Sequence, residues 1–228
     1  MSISIIIPTL NEAENIGQLI IHLIKHGGNR LREIIIVDAN SNDNTQKNAA
    51  QAGAKVLLSQ HSNRAIQMNI GAKEARGDIL YFVHADTFPP PSFAKDIEQA
   101  SIQNYVFGRY RSKYNSSNLL LKINAFFTRF NIGLCKGGDQ SLFIIKDIFE
   151  KHNGFNEQYC IMEEYEFQSR IGKQYNYKII PKEILISARK YEKNSYLNVQ
   201  IANTTIFKMY KKGVPPSEML TAYRKMLS

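Results

Sequence analysis

Short apolar segments alternate with amphipathic segments along the first 88 residues of the chain. Runs rich in β-branched and other apolar residues predict strands at 2–9, 33–39, 54–60 and 78–86. Apolar residues at helical spacing predict helices at 11–27, 42–53 and 63–76, the first with Asn11 as its N-cap. Strands that are apolar on both faces and separated by helices indicate a mainly parallel sheet covered on both sides.

The alternation becomes less regular after the proline run at 89–91. The pattern there predicts strands at 105–111, 136–145 and 177–181. It predicts helices at 92–103, 117–131, 162–174, 196–212 and 217–226. The predicted fold class is therefore α/β, with a Rossmann-like mixed, mainly parallel sheet flanked by helices and a C-terminal helical extension.

Composition narrows the class of protein. The 228 residues, 43% of them hydrophobic, are enough for one large domain with its own core. Lys and Arg outnumber Asp and Glu by 29 to 20, and the formal charge of +9 favours an anionic partner, such as a nucleotide, a phosphorylated lipid, nucleic acid or an anionic membrane surface. We expect no nucleic-acid partner, because the sequence contains no recognisable nucleic-acid-binding module.

Cysteine usage and hydropathy bear on the compartment. Cys135 and Cys160 are far apart and neither belongs to a C-x-x-C pair, which argues against a zinc site and a disulfide framework. The first apolar run stops at Pro8, and no window offers the ~18 apolar residues of a membrane span. We therefore expect the chain in the cytoplasm.

Three predicted strand ends carry an acidic residue. Glu12 follows the first strand, Asp38 lies at the end of the second, and Asp86 closes the fourth. Ligands of such sheets bind beyond the carboxyl ends of the strands, so we expect the three carboxylates around one site. Asp86 ends the apolar stretch FVHAD, where a carboxylate must be paired, metal-bound or hydrated.

Five short blocks stand out along the chain. They are PTLNE (8–12), VDANSNDNT (37–45), RGDILYFVHADT (76–87), GGDQ (137–140) and MEEYEF (162–167). In order and spacing they resemble the signature blocks of family 2 glycosyltransferases, which have the GT-A fold. The resemblance implies a GT-A domain at 1–190, with a nucleotide-binding half at 1–88 and an acceptor and catalytic half at 89–190, before the helical extension at 191–228.

The resemblance implies a divalent cation, Mn²⁺ or Mg²⁺, at the end of the fourth strand. The family's D-x-D reads H-A-D here, so Asp86 matches the metal-contacting aspartate and His84 replaces the first acid. Mg²⁺ is often held by one or two carboxylates with phosphates and water, and Mn²⁺ tolerates imidazole better. Two structural alternatives stay open: Asp86 caps the following turn, and His84 is a hydrogen-bonded core histidine.

The resemblance also implies a nucleotide-sugar donor. Pro8, Thr9 and Glu12 would line its base and ribose, and Asp38 would accept a hydrogen bond from the base. The usual D-D-G-S reads D-A-N-S here, which leaves UDP- and GDP-sugars both open. Arg64 would approach the diphosphate. The structural alternatives are a helix-start acid for Glu12 and a solvated first-turn side chain for Arg64.

Catalytic residues are implied at the helix that starts at MEEYEF. Glu164 occupies the position of the family's general base, Glu163 is the fallback, and the helix N-terminus would keep the base ionised. Asp139 and Gln140 would contact the donor or acceptor sugar, and Arg189 the diphosphate. The implied reaction is a single inverting displacement through an oxocarbenium-like state. In the alternative, the glutamates are only helix-start acids and Asp139 is a turn residue.

The sequence leaves the acceptor unidentified, and a glycan or a lipid-linked molecule would fit. Leu119, Ile123 and three phenylalanines form an apolar stripe on the predicted helix at 117–131, and the C-terminal tail is basic. These features leave three alternatives open: core packing, a homodimer face, and a lipid groove with peripheral contact at the inner face of the membrane.

Two other classes of protein compete with a glycosyltransferase. A nucleotidyltransferase is disfavoured, because PTLNEAEN has neither the glycine nor the cation expected of the loop after the first strand in those enzymes. A non-catalytic protein that binds a nucleotide-sugar or another anionic ligand is the remaining alternative.

Overall fold

The computed structural model describes residues 1–131, 133 and 140–227. Within these residues the strands form one mixed sheet of eight. The strands are β1 (Ile3–Thr9), β2 (Leu31–Asp38), β3 (Lys55–Leu58), β4 (Ile79–Phe82), β5 (Thr87–Phe88), β6 (Phe107–Tyr114), β7 (Leu142–Ile145) and β8 (Tyr177–Ile186).

Helices connect the strands and complete the chain. They are α1 (Ile16–Gly27), α2 (Thr45–Gln51), α3 (Arg64–Glu74), α4 (Phe93–Ile102), α5 (Leu119–Phe127), α6 (Lys146–Lys151), α7 (Glu163–Ile171), α8 (Arg189–Lys193), α9 (Tyr196–Lys211) and α10 (Pro216–Met226). A short 3-10 helix at Gly28–Arg30 joins α1 to β2. In the described part of the chain, no helix is both long and apolar enough to cross a membrane.

The strand order is β3-β2-β1-β4-β7-β6-β8-β5. Strands β1 to β4 pair in parallel, whereas β7 lies antiparallel to both of its neighbours, β4 and β6. Strand β8 is parallel to β6 and antiparallel to β5. All the strands except β5 and β7 therefore run in one direction, which confirms the predicted mixed, mainly parallel sheet.

The core lies on both faces of this sheet. In β1, Ile5 packs with Leu19 and Leu23 of α1, while the next residue, Ile6, packs with Met68 of α3 on the opposite face. Successive side chains of a strand point to opposite faces, so a strand covered on both sides needs an apolar residue at nearly every position. This need explains the unbroken isoleucine run of the first strand.

Several local predictions differ from the structure. The prediction of Asn11 as the helix cap is wrong, because α1 begins at Ile16 with Asn15 as its N-cap. Asn11 has a left-handed φ of 56° and its side chain accepts a hydrogen bond from the backbone N–H of Asn42 at 2.9 Å, which ties two loops together. The fourth strand ends at Phe82 rather than at 86. The chain then turns, and the backbone oxygen of His84 accepts a hydrogen bond from the backbone N–H of Thr87 at 3.1 Å.

The C-terminal helices form a small core of their own. Ile206 of α9 and Met219 of α10 are buried together with Ile161, which lies just before α7. Packing against Ile161 brings the two helices beside the N-terminus of α7. The tail thereby forms a wall next to the predicted catalytic helix.

The pairing of β6 with β8 is close enough to exclude a side chain at Gly108. A Cβ atom there would lie 2.3 Å from the backbone oxygen of Lys178 and 2.7 Å from the ring of Phe143. We expect Gly108→Ala to lower the free energy of unfolding by about 1–3 kcal/mol or more, measured by urea denaturation.

Gly17→Ala is the matched control. It lies in α1 with nothing within 4 Å of the added Cβ, so we expect it to be neutral or to stabilise the protein by up to about 1 kcal/mol. Equal stability of Gly108→Ala and the parent chain would contradict the close β6–β8 pairing.

Candidate active site

Two cavities with shared walls lie where β1 and β4 end. The larger, of about 600 Å³, is here named the strand-edge cavity, and the predicted site residues in its wall are Pro8, Thr9, Glu12, Arg64, His84, Asp86 and Arg189. The smaller, of about 450 Å³, is named the helical cavity, and those in its wall are Arg64, Gln140, Glu163 and Glu164. Five residues line both cavities: Arg64, Tyr114, Lys190, Tyr191 and Tyr223. Asp139 lies outside the described residues.

An arginine from the far end of the chain joins two of the strand-end acids. The guanidinium of Arg189 donates from both terminal nitrogens to the carboxylate of Glu12, one of them at 2.9 Å. The Nη2 atom of Arg189 also lies 3.3 Å from Oδ2 of Asp86. The hydrogen bond to Glu12, and then the charge of Asp86, raise the pKa of Arg189. Glu12 and Asp86 therefore share one cation at the edge of the sheet.

Asp38 lies beneath the site rather than in a cavity wall. Its carboxylate is fully buried and accepts hydrogen bonds from the hydroxyl of Thr9 at 2.9 Å and the side chain of Gln46 at 2.7 Å. The backbone N–H and the hydroxyl of Ser41 donate to it at 2.8 and 2.5 Å. Such a carboxylate holds the ends of β1 and β2 in place. Its predicted contact with the nucleotide base stays a prediction.

Gln67 is a site residue that the sequence reasoning missed. It is buried on α3, lines the strand-edge cavity, and its amide donates to the backbone oxygens of Thr9 at 3.0 Å and Val37 at 2.7 Å. These carbonyl groups lie at the ends of β1 and β2, where burial without a partner would be costly. The available signal was a glutamine between Ala65 and Met68 on the buried face of a helix.

The two glutamates of α7 begin the helix and are both almost completely buried, each 3% exposed. Met162 before them has a left-handed φ of 68°, which turns the chain sharply into the helix. Oε1 of Glu163 lies 3.1 Å from Nε of Arg64, and Oε1 of Glu164 lies 3.9 Å from Nε2 of His84. Both carboxylates lie in the first turn, where the helix dipole stabilises negative charge.

His84 is placed between the two cavities. Its ring lines the strand-edge cavity, while Nε2 faces Glu164 in the helical cavity. Beside this pair, burial raises the pKa of the Tyr177 phenol to about 12, with Arg109 opposing the shift and Glu164 adding to it. Tyr177 is therefore a neutral group next to the buried glutamate at ordinary pH.

The described residues contain no group of three or more His, Cys, Asp or Glu side chains that could enclose a metal ion. The strand-edge cavity offers the carboxylate of Asp86, with its side chain 23% exposed, and the imidazole of His84 two residues away. Such a set fits a cation that completes its coordination with diphosphate oxygens and water, and does not fit a cation held by protein ligands alone.

Solved glycosyltransferases share the fold of this chain. A mannosyltransferase from Pyrobaculum calidifontis, solved with GDP-Man and Mn²⁺, aligns with a TM-score of 0.69 at 14% identity, over 98% of this chain and 69% of that chain. Glucosyl-3-phosphoglycerate synthase from Mycobacterium tuberculosis was solved with Mn²⁺, UDP and phosphoglyceric acid. It aligns with a TM-score of 0.64 at 16% identity, over 94% of this chain and 79% of that chain. Identities this low show the fold alone, and that fold is GT-A.

The family is shown by a match over more than half of the chain, and partial sequence relatives agree with it. Glucosyl-3-phosphoglycerate synthase of Mycolicibacterium paratuberculosis is 31% identical over 97 residues, which is 39% of this chain and 30% of the relative. Dolichol-phosphate mannosyltransferase of Pyrococcus furiosus is 30% identical over 105 residues, 44% of this chain and 30% of the relative. The matched stretches thus amount to less than a third of these relatives. Residues 4–159 match the sequence model of glycosyl transferase family 2, and the chain belongs to that family.

The shared cation predicts how the site responds to metal alone. Arg189→Ala leaves the carboxylates of Glu12 and Asp86 facing one cavity without the guanidinium between them. We expect the apparent Kd of Mn²⁺, added without nucleotide, to fall by about tenfold or more, measured by calorimetric titration.

Lys193→Ala is the control, because Lys193 lines the same cavity. We expect this substitution to change the Kd of Mn²⁺ by less than about threefold. The ion pairs of Glu12 and Asp86 described above are with Arg189 and do not involve Lys193. An Arg189→Ala variant with the metal response of the parent would show that the two acids do not form a common cation site.

Proposed function

We propose that this protein is an inverting glycosyltransferase that moves a sugar from a UDP- or GDP-sugar to the hydroxyl group of an acceptor. The observation that carries the proposal is the pair of cavities with a shared wall. The strand-edge cavity is lined by the acidic residues Glu12 and Asp86, and the helical cavity contains two buried glutamates at a helix N-terminus. A transferase needs two such sites in contact, one for the donor and one for the acceptor.

The donor is assigned to the strand-edge cavity. Pro8 and Thr9 would lie against the base, and Glu12 would accept hydrogen bonds from the ribose hydroxyls once Arg189 turns from it towards the diphosphate. Arg64 and Arg189 would then supply bidentate donors to phosphate oxygens. Solved relatives with UDP and with GDP-Man support a nucleotide-sugar donor but differ in the base, so both bases stay in the proposal.

A divalent cation, Mn²⁺ or Mg²⁺, is assigned to Asp86, with His84 as a second ligand. Relatives solved with Mn²⁺ or Mg²⁺ together with UDP support this assignment. When bound, the cation would offset the negative charge that develops on the departing nucleoside diphosphate. The protein's own contribution there is the guanidinium of Arg189, which lies close enough to Asp86 to act on the same phosphate oxygens.

Glu164 is assigned as the general base. It would take the proton from the acceptor hydroxyl as the oxygen attacks the anomeric carbon, and the bond to the diphosphate would break on the opposite face of the sugar ring. The N-terminus of α7 favours the ionised carboxylate that this step needs. Glu163, held at 3.1 Å by Arg64, is the fallback base and otherwise positions Arg64.

The acceptor is assigned to the helical cavity. Its polar wall includes Gln140 and the neutral amides Asn124, Gln200 and Asn203, beside several tyrosine rings. Neutral amides and aromatic rings suit an uncharged hydroxyl-bearing group, such as the end of a glycan or of a lipid-linked molecule. The contacts of Asp139 with sugar, homodimer formation and a location at the inner face of the membrane stay predictions.

The two glutamates make a matched pair for testing the base. We expect Glu164→Gln to lower kcat for nucleotide-sugar turnover by about 10²–10⁴-fold with little change in donor KM, because only proton removal is lost. Glu163→Gln should lower kcat less and raise donor KM, because its partner Arg64 is released. The measurement is nucleoside diphosphate release with Mn²⁺ and water as the acceptor. A larger loss of kcat in Glu163→Gln would transfer the base role to Glu163.

Removal of the metal tests the donor site. We expect UDP or GDP to raise the melting temperature only with Mn²⁺ or Mg²⁺, and EDTA or Asp86→Ala to abolish that increase. Asp147→Ala, an exposed acid of α6, is the control and should respond like the parent. A metal-independent increase that persists in Asp86→Ala, together with no turnover of any donor, would favour the non-catalytic binding protein instead.

A further inference from the structure

Helix α5 exposes its apolar side to solvent. Six large apolar side chains on this helix and the turn after it are each 44–68% exposed: Leu119, Leu120, Ile123, Phe126, Phe127 and Phe130. At 3.6 residues per turn they form one stripe roughly 120° wide. The opposite side of the helix, which includes Leu121, is the buried one. An exposed apolar stripe of this kind marks a surface for interaction with another molecule.

The helix is held in this orientation at both ends. The side chain of Asn118 caps its start by accepting from the backbone N–H of Leu120 at 2.9 Å. After its last turn, the buried guanidinium of Arg109 donates to the backbone oxygens of Thr128 at 2.8 Å and Phe130 at 3.2 Å. Satisfied ends of this kind fix a short helix against fraying. The exposure of the stripe is therefore a property of the fold.

Helix α9 lies near α5 and carries two further exposed apolar residues. Asn124 of α5 and Gln200 of α9 both donate to the hydroxyl of Tyr191, at 3.5 and 3.4 Å, so the two helices face one another. Leu197 and Ile201 of α9 are 68% and 59% exposed and lie one helical turn apart. These two residues and the six of the α5 stripe are together named the apolar face.

The apolar face is continuous with the helical cavity. Ile123 and Phe127 belong to the exposed stripe and also line the cavity wall. An occupant of the face would therefore lie beside the mouth of the cavity that holds Glu164.

Charge around the face is positive. The described residues from 99 to 131 include no acidic side chain and five basic ones, of which Arg109 is buried and Arg111, Lys113, Lys122 and Arg129 are partly or fully exposed. Residues 193–217 likewise include no acidic side chain and four exposed basic ones: Lys193, Lys208, Lys211 and Lys212. Lys122 of α5 and Arg129 of the turn after it are both exposed, and the guanidinium of Arg129 lies over the ring of Phe126, 3.7 Å from its centroid. Two copies of this chain would bring like charges together at such a face, whereas an anionic surface would be attracted to it.

We propose that the apolar face docks on an anionic lipid bilayer. The side chains of Phe126, Phe127 and Phe130 enter the boundary between headgroups and acyl chains, as in helices that lie in the interface. Lys122 and Arg129 contact anionic headgroups at its edge. The helical cavity then opens towards the bilayer surface. The proposal does not depend on sugar transfer, because it rests on exposure, helix anchoring and charge alone.

Vesicle flotation tests the proposal without nucleotide or metal. The probes are vesicles of phosphatidylcholine alone and of phosphatidylcholine with phosphatidylglycerol. We expect the parent protein to partition at least about tenfold more strongly to the anionic vesicles and to lose this advantage in high salt. Phe126→Ser with Phe130→Ser should lower binding by about tenfold, and so should Lys122→Glu with Arg129→Glu.

Ile21→Ser with Ile102→Ser is the matched control. These residues, on α1 and α4, are 60% and 69% exposed, so the same number of exposed apolar side chains is lost elsewhere. Binding of this variant should stay within about twofold of the parent. Unchanged melting temperatures would show that all variants fold.

Three results would overturn the proposal. The first is a parent protein that binds neither vesicle. The second is equal loss of binding in the control variant or no loss in the two face variants. The third is a parent dimer, seen by analytical ultracentrifugation, that Phe126→Ser with Phe130→Ser converts to a monomer, because a second copy would then be the partner of the face.

Discussion

The structure depends on the convergence of parallel strand ends at one edge of a buried sheet. There Thr9 and Val37 are buried, and the amide of Gln67 donates to the backbone carbonyl groups of both. The carboxylate of Asp38 closes the network through Thr9 and Ser41. A polar group left unpaired in such a place would destabilise the fold. The floor of the strand-edge cavity is therefore a stabilising network first, and its rigidity suits it to hold a ligand.

Charge balance is the second constraint, and it links the two ends of the chain. Glu12 and Asp86 would repel one another, and a diphosphate would add more negative charge. The cation between them in the structure is Arg189, which lies beyond the last strand and contacts both. The N-terminal half of the site is thus electrostatically incomplete without residues from near the C-terminus. A bound cation and a diphosphate would take over parts of this balance, and Arg189 would be free to turn towards phosphate.

Periodicity in the sequence was enough to predict seven of the eight strands of the described sheet and most helices, because a strand covered on both faces and an amphipathic helix each leave a regular apolar pattern. Helices α6 and α8 span fewer than two turns and leave no such pattern. The ion pair of Arg189 with Glu12 and the two hydrogen bonds of Gln67 join residues far apart in sequence, so local patterns carry no trace of them. The complete burial of Asp38 likewise follows from Ser41 and Gln46 closing over it.

The wall between the cavities connects the proposed chemistry to the proposed membrane surface. His84 faces the strand-edge cavity and lies 3.9 Å from Glu164 in the helical cavity, so the two side chains meet across that wall. A base at this position would reach a hydroxyl entering from the helical side while the anomeric carbon approached from the strand side. Ile123 and Phe127 belong both to the wall of the helical cavity and to the apolar face. An acceptor held at a bilayer surface would therefore enter the helical cavity, on the side of the base. The donor, which is soluble and anionic, would enter past Glu12 and Arg189 at the edge of the sheet.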